Sequence, residues 1–116
     1  MATLQPLYTG TLTVSTTELS LITGTSTLGA SSTAASAEAV LDLSALTAGD
    51  AVRVRIKRSV LSTGTQRVAM DATYAGPLAA PIVILPLGMP LYKWDVTVTK
   101  VGGVDRSIDY SIGAVA

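Results

Sequence analysis

The chain has 116 residues, enough for one domain with one modest core. Hydrophobic residues make up 48% and charged residues 14%, and the formal net charge is zero, so no basic excess is available to drive binding to phosphate backbones. Cysteine and histidine are both absent, which excludes a disulfide framework, thiolate or imidazole metal ligation, and Ser-His-Asp or Cys-His catalysis.

Residues 1–10 contain neither the basic region nor the apolar run of a secretion signal. They read as an extended arm on a protein made in the cytoplasm. Leu12, Val14, Leu19 and Leu21 then alternate with Thr13, Ser15, Glu18 and Ser20, the period of a strand. Residues 23–36 (TGTSTLGASSTAAS) read as a flexible loop. Between Glu38 and Leu43 the period returns, with Ala39, Leu41 and Leu43 set against Val40 and Asp42. Residues 44–50 (SALTAGD) form a turn broken at Gly49-Asp50.

The clearest element follows. Val52, Val54 and Ile56 share one face of the next strand, and Arg53, Arg55 and Lys57 share the other. After a short connection centred on Gly64, residues 66–74 alternate again. Together the two runs predict a long antiparallel hairpin with Arg67, Ala69, Asp71 and Thr73 outward, so that Asp71 faces the arginines. Ile82–Leu85 is a continuous apolar run between Pro81 and Pro86. Proline removes a ladder donor, so this strand is expected to be short and at a sheet edge, where an uncovered apolar strand invites pairing. The whole stretch Leu78–Leu91 is too short and too proline-rich to cross a bilayer. Residues 92–101 place Trp94, Val96 and Val98 on one face, with Trp94 as core anchor in a chain without Phe. Gly102-Gly103 turns the chain, and Ile108, Tyr110 and Ile112 are expected on the matching face of a second hairpin.

Seven to eight strands and no convincing helix predict an all-β, single-domain antiparallel β-sandwich or β-barrel of jelly-roll-like type over residues 1–116. The candidate chemistry is sparse. Asp95 and Asp109 would lie on the two strands of the second hairpin, where paired carboxylates invite comparison with a glycosidase. Beside Lys93 and Arg106, however, they read as an exposed charge pattern. Asp105 and its loop are a weak calcium candidate without an EF-hand pattern. The stripe Arg53, Arg55, Lys57, Arg58 and Arg67 reads first as a solvated outer face, then as a dock for an acidic protein surface. Without interleaved aromatics it is a poor nucleic-acid site. No catalytic, cofactor or metal site is expected. The protein interface is assigned to Ile82, Val83, Ile84, Leu85, Leu87, Met89 and Leu91, together with Arg53, Arg55 and Lys57.

Three stretches, LTVSTTELSL (Leu12–Leu21), LDLSALTAGDAVRVRIKRSVLSTGTQRV (Leu41–Val68) and WDVTVTKVGGVDRSIDYSI (Trp94–Ile112), carry a resemblance that covers most of the chain. It is similar to small virion proteins of tailed bacteriophages, of the capsid decoration (cement) type. The resemblance implies a non-enzymatic β module on the capsid surface of the virion. Such a module binds the major capsid protein, assembles as a homo-oligomer with a trimer favoured, and touches neither nucleic acid nor membrane. The other reading is a tail or fibre module that attaches to glycan or host surface.

Overall fold

The computed structural model of the protein describes residues 4–27, 29, 36–61, 63–88 and 92–115. Among them are eight strands: β1 (Leu4–Val14), β2 (Leu19–Ser20), β3 (Ser36–Asp42), β4 (Ala51–Ser59), β5 (Arg67–Ala75), β6 (Ile82–Gly88), β7 (Tyr92–Gly102) and β8 (Arg106–Val115). They form two four-stranded antiparallel sheets, β1-β8-β3-β6 (sheet A) and β2-β7-β4-β5 (sheet B). The first strand pairs with the last, the second with the seventh, the third with the sixth and the fourth with the fifth. The chain is thus one long antiparallel ribbon, doubled back at the β4–β5 hairpin and rolled so that successive rungs fall in alternate sheets. This is the jelly-roll arrangement of a β-sandwich.

The alternation seen in the sequence is the burial pattern of the sandwich. Val52, Val54 and Ile56 from β4 meet Ala39 and Leu41 from β3 and Ile108 and Ile112 from β8 in a single core. Trp94 is completely buried there, with the ring of Tyr8 packed edge-on against it at 6.2 Å between centroids. The β4–β5 hairpin stands as expected, with a register shift at Ile56/Lys57.

The second expected hairpin does not form. β7 pairs with β2 and β4, whereas β8 pairs with β1 and β3. The Gly102-Gly103 turn therefore carries the chain across from one sheet to the other. The apolar faces of β7 and β8 do match, but they look at each other through the core instead of lying side by side. A turn sequence reports a reversal of direction, and both arrangements satisfy it. The segment expected as an arm is also different: residues 4–10 are strand, paired with β8 from Leu4↔Val115 onward. Residues 1–3, and residues 28 and 30–35 of the expected loop, lie outside the described residues.

One end of the sandwich is closed by the turns 43–50, 76–81 and 103–105. Asp50 is buried at their meeting point. Its carboxylate accepts from the N–H and hydroxyl of Thr47 (2.9 and 3.1 Å), the N–H of Val104 (3.1 Å) and Arg106 Nε (2.8 Å). Its carbonyl accepts from Gly76 N–H at 2.9 Å. Gly103 sits against this carboxylate at φ +78°, where a side chain would collide with Asp50 and would also require a strained backbone.

Candidate interaction surface

The residues assigned to an interface divide between the two sheets. Arg53, Arg55 and Lys57 project from the outer face of sheet B; Ile82 to Leu87 belong to sheet A. The structure does not bring the two groups together.

On sheet B the basic stripe is a closed ion network. Arg53 clasps Asp71 across the hairpin, with Nε at 2.8 and 3.0 Å from its two oxygens. Arg55 lies 3.7 Å from Glu18 and 3.5 Å from Asp71. Lys57 donates to Glu18 at 2.9 Å, and the Thr97 hydroxyl donates to the other oxygen of Glu18 at 2.7 Å. The hydrogen bond from Arg53, reinforced by the charges of both arginines against mild desolvation, holds the Asp71 carboxyl below its ordinary pKa. Burial pushes Glu18 up, but the Lys57 and Thr97 hydrogen bonds and the charges of Lys57 and Arg55 outweigh it and leave Glu18 lowered. The central part of the stripe is thus an internally compensated outer face. The cations in it are committed, and it leaves little positive charge for a partner.

Beside this network Asp95, expected on the surface, is fully buried under the segment that follows β2. It accepts from the Ser20 hydroxyl (2.7 Å) and from the N–H groups of Gly29 and Val96 (both 2.8 Å). Desolvation raises its pKa against those hydrogen bonds and the charge of Lys57. It therefore acts as a pin for the chain over β7. Asp109 is exposed on the opposite sheet, so the two acids do not form a catalytic pair. Asp105 is engaged by Lys100 Nζ at 2.6 Å. Among the described residues no cluster of three metal-ligating side chains occurs, and no helix is long and apolar enough to cross a membrane.

On sheet A, β6 is an edge strand, as its prolines predicted, and it is apolar on both sides, but only one side is exposed. Val83, Leu85 and Leu87 are buried in the core, a correction to their assignment as interface residues. Ile82 and Ile84 stand in solvent at 51% and 58% exposure. Met89 and Leu91 lie outside the described residues. A hydrophobic run has no visible period, so the sequence could not separate the two sets; only pairing with β3 does. Leu43 N–H donates to the Pro81 carbonyl at 2.9 Å. By the alternation of an antiparallel ladder, the backbone groups of Val83 and Leu85 then face β3, and those of Ile82 and Ile84 face the open edge.

The outer face of sheet A surrounds these isoleucines. Val40 is the cross-strand partner of Ile84, and Asp42 that of Ile82; Asp42 in turn stands opposite Asp109. Val40, Asp42, Ile82, Asp109, Tyr110 and Ser111 line a shallow hollow of about 260 Å³. Thr11 donates to Asp109 at 2.6 Å, and the Ser44 side chain and then its N–H, which donates to Asp42 at 3.0 Å, hold the Asp42 pKa down. The face is apolar along its β6 edge and acidic on the adjoining strands β3 and β8. Comparison of the chain with protein-family models, with curated proteins and with solved structures gives no match, so these surfaces are judged on their own chemistry.

Proposed function

We propose that the protein is a structural virion component, a capsid decoration (cement) protein that binds and stabilises the lattice of the major capsid protein of a bacteriophage. It is made in the host cytoplasm, works on the capsid surface as a homo-oligomer, and acts by adhesion. The observation that carries this reading is the β6 edge, which no other described strand covers. Two isoleucines and their neighbour Val40 occupy an outer sheet face beside open backbone donors and acceptors, a combination that a soluble monomer normally covers or charges. The small jelly roll and the resemblance of its three sequence stretches agree with the reading.

The test is co-sedimentation of the purified protein with capsid shells of the encoding virus. Saturable binding is expected. Protein that remains in the supernatant at every shell concentration would overturn the proposal.

A further inference from the structure

Every Lys and Arg except Arg106 lies on a strand of sheet B, and Arg106 is folded back onto Asp50. The acids on the strands of sheet A are Glu38, Asp42 and Asp109, whereas the strands of sheet B carry only Asp71 and Asp95 against their more numerous cations. A molecule of zero net charge is therefore polarised across its thickness. Each pole also carries exposed apolar side chains. On sheet A these are Ile82 and Ile84. On sheet B, apart from Val101 toward the other end of β7, they gather at the tip of the β4–β5 hairpin, where Val60 is 89%, Leu61 64% and Val68 48% exposed. Arg58 and Arg67 face each other across the base of this tip.

The tip is a built structure. Gly64 N–H donates to the Leu61 carbonyl at 2.9 Å, the Ser59 hydroxyl donates to the same oxygen, and Lys93 Nζ donates to the Gly64 carbonyl at 2.9 Å. Gly64 leaves no room for a side chain beside Ser59. These bonds anchor the described residues of the tip with Val60 and Leu61 in water, which lowers the ordering entropy that docking would otherwise cost. The tip belongs to sheet B, and the acidic face of its own molecule is on sheet A. β5 leads away from it, from Arg67 to Ala75, and the 76–81 connection delivers the chain to Ile82 at the far end, on the other sheet.

We propose that the hairpin tip of one copy docks on the outer face of sheet A of the next, Val60 and Leu61 against Val40, Ile82 and Ile84, and Arg58 and Arg67 against Glu38, Asp42 and Asp109. The occupant is a second copy because the two surfaces are alike in apolarity, opposite in charge and carried by one chain. The contact is head-to-tail, so it closes into a ring or extends into a filament according to the rotation it imposes. This deepens the assembly reading above by naming the contact between subunits.

Sedimentation velocity on the purified protein in low salt tests the contact. The wild type is expected to associate with rising concentration and to dissociate as salt rises. Leu61→Ser, at a position that supports no core packing, is expected to weaken association about tenfold, as is the pair Arg58→Glu with Arg67→Glu. Adding Glu38→Lys and Asp109→Lys to the arginine variant makes tip and face complementary again and is expected to restore association. A strict monomer, or association indifferent to all of these changes, overturns the contact, as does a charge-swapped variant that melts like the wild type yet stays monomeric. Shell binding by a monomer would remove this contact and leave the decoration function standing; association without shell binding would do the reverse.

Discussion

At the scale of single residues, the most informative side chain is one that the sequence hid. Asp50 stands in a turn motif where an aspartate usually caps its own backbone, and it does accept from Thr47. It also gathers Val104 and Arg106 from a turn more than fifty residues away, a role that no local pattern announces. The backbone hydrogen bonds from Thr47 and Val104, then Arg106, hold its carboxyl well below the usual carboxylate range. Asp50→Ala should lower the melting midpoint by about 8 °C, read by circular dichroism. Gly103→Ala meets both a left-handed backbone and the Asp50 carboxylate and should cost about 3 kcal/mol in urea unfolding. Trp94 was legible as the core anchor because its strand alternates cleanly. Its neighbour Asp95 was not, because Ser20 and Gly29, which donate to it, are remote in sequence, Ser20 on a short strand and Gly29 in a segment whose composition reads as loop.

At the scale of elements, the pairing of the β4–β5 hairpin could be read, down to Asp71 facing the arginines, because its strands are amphipathic, but the register shift at Ile56/Lys57 and the exposure of Val68 near it could not. The β7–β8 relation could not, because period and turn chemistry are the same whether the next strand stays in the sheet or crosses. Three carboxyls of the outer faces, Glu18, Asp42 and Asp71, together with Asp50, release their protons more readily folded than unfolded. Their stabilisation is complete above the unfolded carboxyl range and is lost as pH falls through the folded values. Asp95, raised by burial, runs the other way: its contribution is greatest in acid and fades as pH rises through its folded value. The four outnumber the one, so the melting midpoint should fall steadily from about pH 5 to about pH 2, and Asp71→Asn should make that fall shallower. A midpoint that rose in acid would show Asp95 to dominate. Asp42 and Asp109 are directly opposite on neighbouring strands, an arrangement of like charges that weakens a sheet. Asp109→Lys should therefore raise the midpoint by about 2 °C even though it forfeits the bond from Thr11.

At the scale of the whole molecule, the fold class followed from composition and period, but the strand order did not. Pairing β1 with β8, or β3 with β6, is a long-range choice made by burial, and it leaves no mark on a short window of sequence. The same topology makes folding slow: the outermost rung of the ribbon closes a loop of nearly the whole chain, so stopped-flow refolding should take on the order of milliseconds to seconds. It also decides how the molecule bears load. Because Leu4 and Val115 are cross-strand partners, tension applied between the two ends of the described chain pulls across the β1–β8 ladder and breaks its rungs one after another, the weakest geometry a sheet has. Tension applied between the hairpin tip and the outer face of sheet A runs along the strands and sets many hydrogen bonds against the force at once. A shell that must resist pressure from within would be reinforced by such a subunit gripped at tip and face, and hardly at all by one tethered through its ends.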